Sequence, residues 1–308
     1  MSIIRLGTRG SPLALWQAHH VRDLLNASHP GTEVELVLID TTGDVVRDRA
    51  LSQIGGDGLF TKEIQVALLE NRIDIAVHSL KDLPTAPVAG LHLAAVPKRG
   101  STGDAFVSNT VNSFDELPKG AVLGTTSLRR RSQSLYRRPD LQLVHLRGNV
   151  ETRLKKIELE KLDGIILAEA GLVRLGFASR IREILDTSWM LSAVGQGALG
   201  LECRQEDSTT VSILASLNDH TTHQQVLAER HFLQTLGGGC LVPVGVQTTA
   251  HGNELQLRGV VLSLDGKKRI EATSTGNGSN PQKVGEQLAA RLKEQGADEI
   301  LAEIRPGN

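Results

Sequence analysis

Cysteine is scarce, neither sign of charge dominates, and no apolar run approaches the length needed to span a bilayer. Two cysteines, Cys203 and Cys240, cannot build a disulfide framework, and a reducing cytoplasm is the expected setting. Neither a C-x-x-C nor an H-E-x-x-H pattern gathers the ten histidines, so no metal site is expected. Thirty-four basic against 35 acidic side chains leave a net charge of −1 and no overall field to draw nucleic acid or an anionic membrane. Any recognition of charge is therefore local. The opening MSIIRLGTRGSPLALW carries Arg5 and Arg9 and does not read as a signal peptide.

The chain has 308 residues, of which 40 % are hydrophobic and 22 % charged, the balance of a folded protein of two or three domains. Short β-rich runs alternate with helical segments, the pattern of parallel sheets built from βαβ units. Strands are expected at Ile3–Leu6, Val34–Ile39 and Asp74–Val77. Helices are expected after Ser11, an N-cap followed by Pro12, and after Thr61. From Gly103 the rhythm restarts, with strands at Ala121–Leu123, Leu141–Leu146 and Ile165–Ala168 and helices from Thr125, from Asn149 and through Arg174. The Gly-rich run VGQGALGLEC reads as a strand returning to the first sheet. A helix at Gln224–Leu236, strands in VPVGVQT and ELQLRGVVLS, a turn at Asp265-Gly266 and a helix at Pro281–Gln295 complete the chain. The expected class is α/β, two similar α/β domains followed by a small C-terminal α+β domain.

Arginine is unevenly used: 23 Arg stand against 11 Lys, and Arg129 to Arg153 holds seven Arg, no Lys and only Asp140 and Glu151 as acids. Guanidinium forks bind carboxylates or phosphates in pairs of hydrogen bonds, whereas lysine acts as a point charge. Arg131, Arg137 and Arg138 suit a solvated helix face. Arg129, Arg130 and Arg147 follow predicted strands, where loops and helix N-termini of α/β sheets hold anions; Arg153 and Arg174 lie early in the next helices. Arg9 and Ser11 are similarly placed after the first strand. Lys81-Asp82 stands where a strand stops against prolines, making Asp82 the acid/base candidate. Cys203 reads as a small buried hydrophobe, while the GGGC bend makes Cys240 the reactive thiol. These residues alone leave open a two-lobed sensor of dicarboxylates and a cysteine acyl transferase using His231.

The motifs TRGSPLALWQA, VHSLKDLPT, GTTSLRR, LRGNVETRL, AGLVRLG, VGQGALGLECR and GGGCLVPVG, in this order, strongly resemble the porphobilinogen deaminase (hydroxymethylbilane synthase) family. The resemblance implies two domains like those of periplasmic binding proteins, 1–98 plus 198–216 and 103–193, and a C-terminal α+β domain, 219–308. It implies a dipyrromethane cofactor joined to Cys240 by a thioether, and four porphobilinogen molecules added head to tail with loss of ammonia before water releases the product. Asp82 is then the catalytic residue. Lys81, Thr125, Ser127, Arg129 and Arg130 match cofactor-binding positions, Arg9, Ser11, Arg147, Arg153, Arg174 and Gln196 match substrate-binding ones, and Phe60 matches a flap residue. The substrate is the one implied small-molecule partner, and even composition without heptads makes a monomer the expectation. Asp57, Gln53 and the GGGC lead depart from the family pattern. Together with a hinge-like KRGSTGDAF that is less charged than the family's, these departures bear on flap closure and elongation rate and not on the reaction class.

Overall fold

The structure, a computed structural model, describes residues 3–45, 58–239 and 242–304. Residues up to Gly100 form β1 (Ile4–Thr8), α1 (Pro12–Ser28), β2 (Val34–Leu38), a short α2 (Thr42–Val45), α3 (Lys62–Leu69), β3 (Ile75–Ser79) and β4 (Leu91–Ala95). Then come β5 (Asp104–Val107), β6 (Val122–Gly124), α4 (Leu128–Arg137), β7 (Gln142–Val144), α5 (Val150–Leu159), β8 (Gly164–Ala168), α6 (Glu169–Arg174) and β9 (Glu183–Ile184). After β10 (Leu199–Arg204), α7 (Ser208–Ala215) and α8 (His220–Thr235), the chain ends in β11 (Val244–His251), β12 (Glu254–Leu262), β13 (Arg269–Asn277), α9 (Pro281–Glu294) and α10 (Ala297–Ala302). It packs as two compact units, Met1–Gly100 with Gly197–His223, and Ser101–Gln196 with Gln224–Asn308.

The first unit holds a five-stranded sheet in the order β2-β1-β3-β10-β4. β1 runs parallel to β2 and β3, and the Gly-rich run supplies β10, antiparallel to β3 and β4. Side chains alternate faces along each strand. Ile75 and Val77 of β3 and Leu199, Leu201 and Cys203 of β10 share a core with Ala18, Val21 and Leu25 of α1. The intervening Ala76 turns to the opposite face and packs with Ile64, Ala67 and Leu68 of α3. Ser11 caps α1, its Oγ accepting from the Ala14 N–H at 3.4 Å, so the predicted start is observed. Thr61 precedes α3 but does not cap it; its hydroxyl turns back to the carbonyl of Gly58 at 3.5 Å.

In the second unit the sheet order is β7-β6-β8-β5-β9. The order mirrors that of the first sheet, again with three parallel strands and an antiparallel fourth. Ala105, Val107, Ile165 and Leu167 face α5, while Phe106 and Ile166 face Phe114, Leu141 and Met190. A three-stranded antiparallel sheet, β11-β12-β13, completes this unit, its core closed by Phe232 and Leu233 of α8 and Leu288 and Leu292 of α9. Within the unit it meets the other sheet's loops: Val246 bridges to Ser192, and Arg258 Nη1 donates to the carbonyl of Thr187 at 3.1 Å. No element was expected from the sequence at α2, β4, β5, β9, β13, α7 or α10.

Gly124 ends β6 and delivers the TTSLRR segment to α4. A Cβ there would lie 2.9 Å from Leu162 Cδ1 and 3.2 Å from both Ile165 Cγ2 and Leu146 Cδ2, three apolar side chains of a closed core. Gly124→Ala is therefore expected to cost about 1–3 kcal/mol by overpacking, read as a lower denaturant midpoint with unchanged slope.

Candidate functional site

In the first unit, α1, α3 and β3 each bring a candidate residue. Arg9 leaves β1 and Ser11 opens α1; the Arg9 guanidinium lies over the ring of Phe60, 4.1 Å from its centroid, a cation–π contact. Gly43 faces the same ring, and any Cβ there would collide with it. Lys81 and Asp82, both half-buried, sit in a 3-10 turn, Leu80–Asp82, that follows β3. The turn is pinned from below: the N–H of Leu80 donates to the carbonyl of Ala198 at 3.1 Å, and the Leu80 side chain is fully buried. Gly200 makes room for it, since a Cβ there would stand 2.6 Å from Leu80 Cδ1. No described residue donates a hydrogen bond to the Asp82 carboxylate, which leaves its lone pairs for a ligand. Gln17, buried on α1, donates to Ser79 Oγ at 2.7 Å and fastens the end of β3 to α1.

The second unit brings the arginines together around a residue that sequence reasoning missed. Asp104 is fully enclosed, and both its oxygens accept from Arg129 and Arg130: Arg130 Nη2 at 2.7 Å and Nε at 3.0 Å to Oδ1, Arg129 Nη2 at 3.2 Å to Oδ1 and Nη1 to Oδ2. Arg129 Nη1 also donates to the carbonyl of Leu191 at 2.6 Å, and Arg130 Nη1 to that of Ile166 at 3.0 Å. The Arg129 and Arg130 side chains are only 5 % and 7 % exposed, so they are braces of the unit's interior before they are anything else. Gln196 joins them, its Nε2 donating to Asp104 Oδ1 at 3.1 Å and to the carbonyl of Thr102 at 2.7 Å. Burial would raise the Asp104 pKa, but the charges of Arg129 and Arg130 outweigh it and hold the carboxyl well below its ordinary 3.8. The signal for Asp104 was an acid heading the otherwise apolar run Asp104–Val107, where no strand was expected.

Thr125 and Ser127 form the cap of α4: Ser127 Oγ accepts from the Arg130 N–H at 3.4 Å and Thr125 Oγ1 from the Ser127 N–H at 3.2 Å. This end of a ten-residue helix favours anions. Arg147 is half-buried, and no described carboxylate pairs with it. Arg153, in the first turn of α5, donates through Nε to the carbonyl of Gly148 at 2.8 Å. Arg174 ends α6 and does not lie early in it as expected, because that helix already starts at Glu169; burial pushes its pKa down, yet a guanidinium stays charged. Arg137 and Arg138, read as a solvated face, pair with Asp115 at 2.7 Å and Asp140 at 2.8 Å. His231 lies 3.9 Å from Glu286. Burial pushes the Cys203 thiol up to about 11, an inert group at neutral pH. Cys240, Asp57 and Gln53 lie outside the described residues. Among the described residues no group of His, Cys, Asp and Glu could hold a metal ion, and no helix is long and apolar enough to cross a membrane.

A polycarboxylate fits the donors of the second unit. Arg129 Nε is buried without an acceptor among the described residues, Arg147 has no described counter-ion, and the α4 N-terminus lies in the same sequence stretch. Two families match the sequence: "Porphobilinogen deaminase, dipyromethane cofactor binding domain" over residues 4–212 and "Porphobilinogen deaminase, C-terminal domain" over residues 223–294. Among solved structures the chain is similar to the methionine binding protein MetQ, with 14 % identity over 72 % of this chain and 92 % of that one and a TM-score of 0.45. It is also similar to a methionine-bound nutrient binding protein of Burkholderia cenocepacia, with 13 % identity, 69 % and 90 % coverage and a TM-score of 0.43. A periplasmic substrate-binding protein of Coxiella burnetii gives 13 %, 71 %, 94 % and 0.44.

Removing the charge of Asp104 strands two buried guanidiniums. Asp104→Asn should lower unfolding free energy by about 3–5 kcal/mol. Since the folded carboxyl is the stronger acid, its contribution is complete above the ordinary value of 3.8 and is lost as pH falls below that toward the folded pKa. Urea titrations should therefore show the gap between parent and Asp104→Asn narrowing below pH 3.8; a gap that widens there contradicts the assignment.

Proposed function

The chain belongs to the porphobilinogen deaminase family, which polymerises porphobilinogen onto a dipyrromethane cofactor in tetrapyrrole synthesis, and we propose that Asp82 is its catalytic carboxylate. The observation that carries this is the placing of Asp82: half-buried, on a turn anchored through Leu80, with no described partner for its oxygens. An anion so fixed can steady positive charge on a pyrrole nitrogen and handle the aminomethyl group that departs as ammonia. When bound, the dipyrromethane supplies the pyrrole carbon to which the first substrate is joined.

Each pyrrole ring brings two carboxylates, so a two-ring primer extended by four units carries about twelve negative charges, and fork-shaped cations suit them. Lys81, Thr125, Ser127, Arg129 and Arg130 are assigned to the cofactor, with Cys240 as its thioether anchor. In the case of Arg129 the group left for a ligand is Nε, the other guanidinium nitrogens being bound within the unit. Arg9, Ser11, Arg147, Arg153, Arg174, Gln196 and Phe60 are assigned to the substrate, Phe60 acting through its contact with Arg9. The proposal keeps the division 1–98 plus 198–216, 103–193 and 219–308. The protein is further proposed to be cytoplasmic and without a nucleic-acid partner, which the scarcity of cysteine and the net charge of −1 support, and a monomer, which the even composition without heptads supports.

Asp82→Ala, loaded with cofactor, should keep its adduct yet lose on the order of 100-fold or more in kcat; full activity would remove Asp82 from this role. Arg147→Lys should raise the KM for porphobilinogen about tenfold, because fork geometry is lost, and an unaltered KM would return Arg147 to a surface role. Thiol titration adds a separate check. With Cys240 held as a thioether, the unfolded loaded protein should titrate one thiol, Cys203, of the two cysteines in the sequence; two thiols would contradict the anchor.

A further inference from the structure

On the α3 face of the first sheet, where Ala76 meets Ile64 and Leu68, three polar side chains are buried together. Alternation along β10 sends Leu201 and Cys203 to the α1 core and leaves Glu202 pointing at α3. There its carboxylate accepts from Gln65 Nε2, 3.1 Å to each oxygen, and from His78 Nε2 at 3.1 Å. A carboxylate only accepts, so the Nε2 of His78 is the donor in this contact. His78 stands opposite Gly200 in the β3–β10 register, one residue before the Ser79 held by Gln17 and four before Asp82. Gln65 lies one turn into α3, the helix that follows Phe60.

We propose that the Gln65–Glu202–His78 cluster positions the catalytic turn, fixing the end of β3, and hence Asp82, against α3, and hence Phe60 and the Arg9 guanidinium on its ring. Stability alone does not call for such a cluster, since a buried ionic or polar group can often be replaced by apolar side chains without loss. What leucines cannot supply is a directional link of fixed length between helix and strand end. Gln65, Glu202 and His78 are positioning residues: they act through Asp82 and Phe60.

The proposal rests on the assignment of Asp82, and the test separates the two. The full chain loaded with cofactor is assayed as parent, Asp82→Ala, His78→Gln, His78→Leu and the triple Gln65→Leu, His78→Leu, Glu202→Leu, with kcat, KM and Tm recorded for each. His78→Gln keeps an N–H for Glu202 and should hold kcat within about threefold of parent, whereas His78→Leu and the triple should lose roughly tenfold or more in kcat with KM little changed. The triple should melt no lower than the parent. A triple that melts like the parent and turns over at its rate overturns the proposal, and so does an equal loss in His78→Gln and His78→Leu. Should neither leucine variant fold, Gln65→Met decides: a kcat lowered about threefold or more supports the link, and the parent rate refutes it. Full activity in Asp82→Ala removes the underlying assignment instead.

Discussion

A guanidinium withdrawn from water has to find an anion, and in the second unit one carboxylate answers two of them. Asp104 accepts from Arg129 and Arg130 in a site closed to solvent, and the backbone carbonyls of Leu191 and Ile166 take further N–H groups. Through those bonds β5, α4, β8 and the segment after Trp189 are tied at one point. Two cations against one anion leave the cluster one positive charge in excess, close to the capped start of α4. The arginine surplus therefore has two parts. Arg129 and Arg130 hold the unit together and lend it a fixed positive field; Arg147, Arg153 and Arg174, on loops and helix ends, are the arginines proposed above to meet substrate carboxylates.

In the first unit the same economy works with an acid. Asp82 is left without a described donor, on a turn whose backbone and apolar anchor are both held: Leu80 is buried over Gly200, and Ser79 is gripped from α1. A carboxylate on so constrained a turn is held in place beforehand, which suits the catalytic role proposed for Asp82. Arg9 lies across Phe60, so a cation and an aromatic ring that are far apart in sequence act as one surface.

Much of this was legible in residue patterns. Ser11-Pro12 marked the start of α1, Asn149 the start of α5, and the Gly-rich run was read as a strand of the first sheet before β10 was seen there. The seven motifs identified the family, and the arginine density from Arg129 onward pointed to anions. What stayed hidden depended on distance in space. Nothing local tells that Arg129 and Arg130 turn inward to an acid 25 residues away, or that Glu202 meets Gln65 across 137 residues. Short strands such as β5 and β9 carry too few residues for alternation to show. At Thr61 the expected cap failed because its hydroxyl is already taken by the turn at Gly58.

The central claim is that a sulfur of this chain holds a short pyrrole primer from which the product grows. Intact mass of protein made in cells that synthesise porphobilinogen, followed by mapping of the modified peptide, tests it most directly. The account predicts a chain heavier than its sequence by a two-ring pyrrole adduct, confined to the peptide containing Cys240 and coloured by Ehrlich's aldehyde reagent. A chain of unmodified mass that still forms hydroxymethylbilane, or an adduct carried on Cys203, would contradict it.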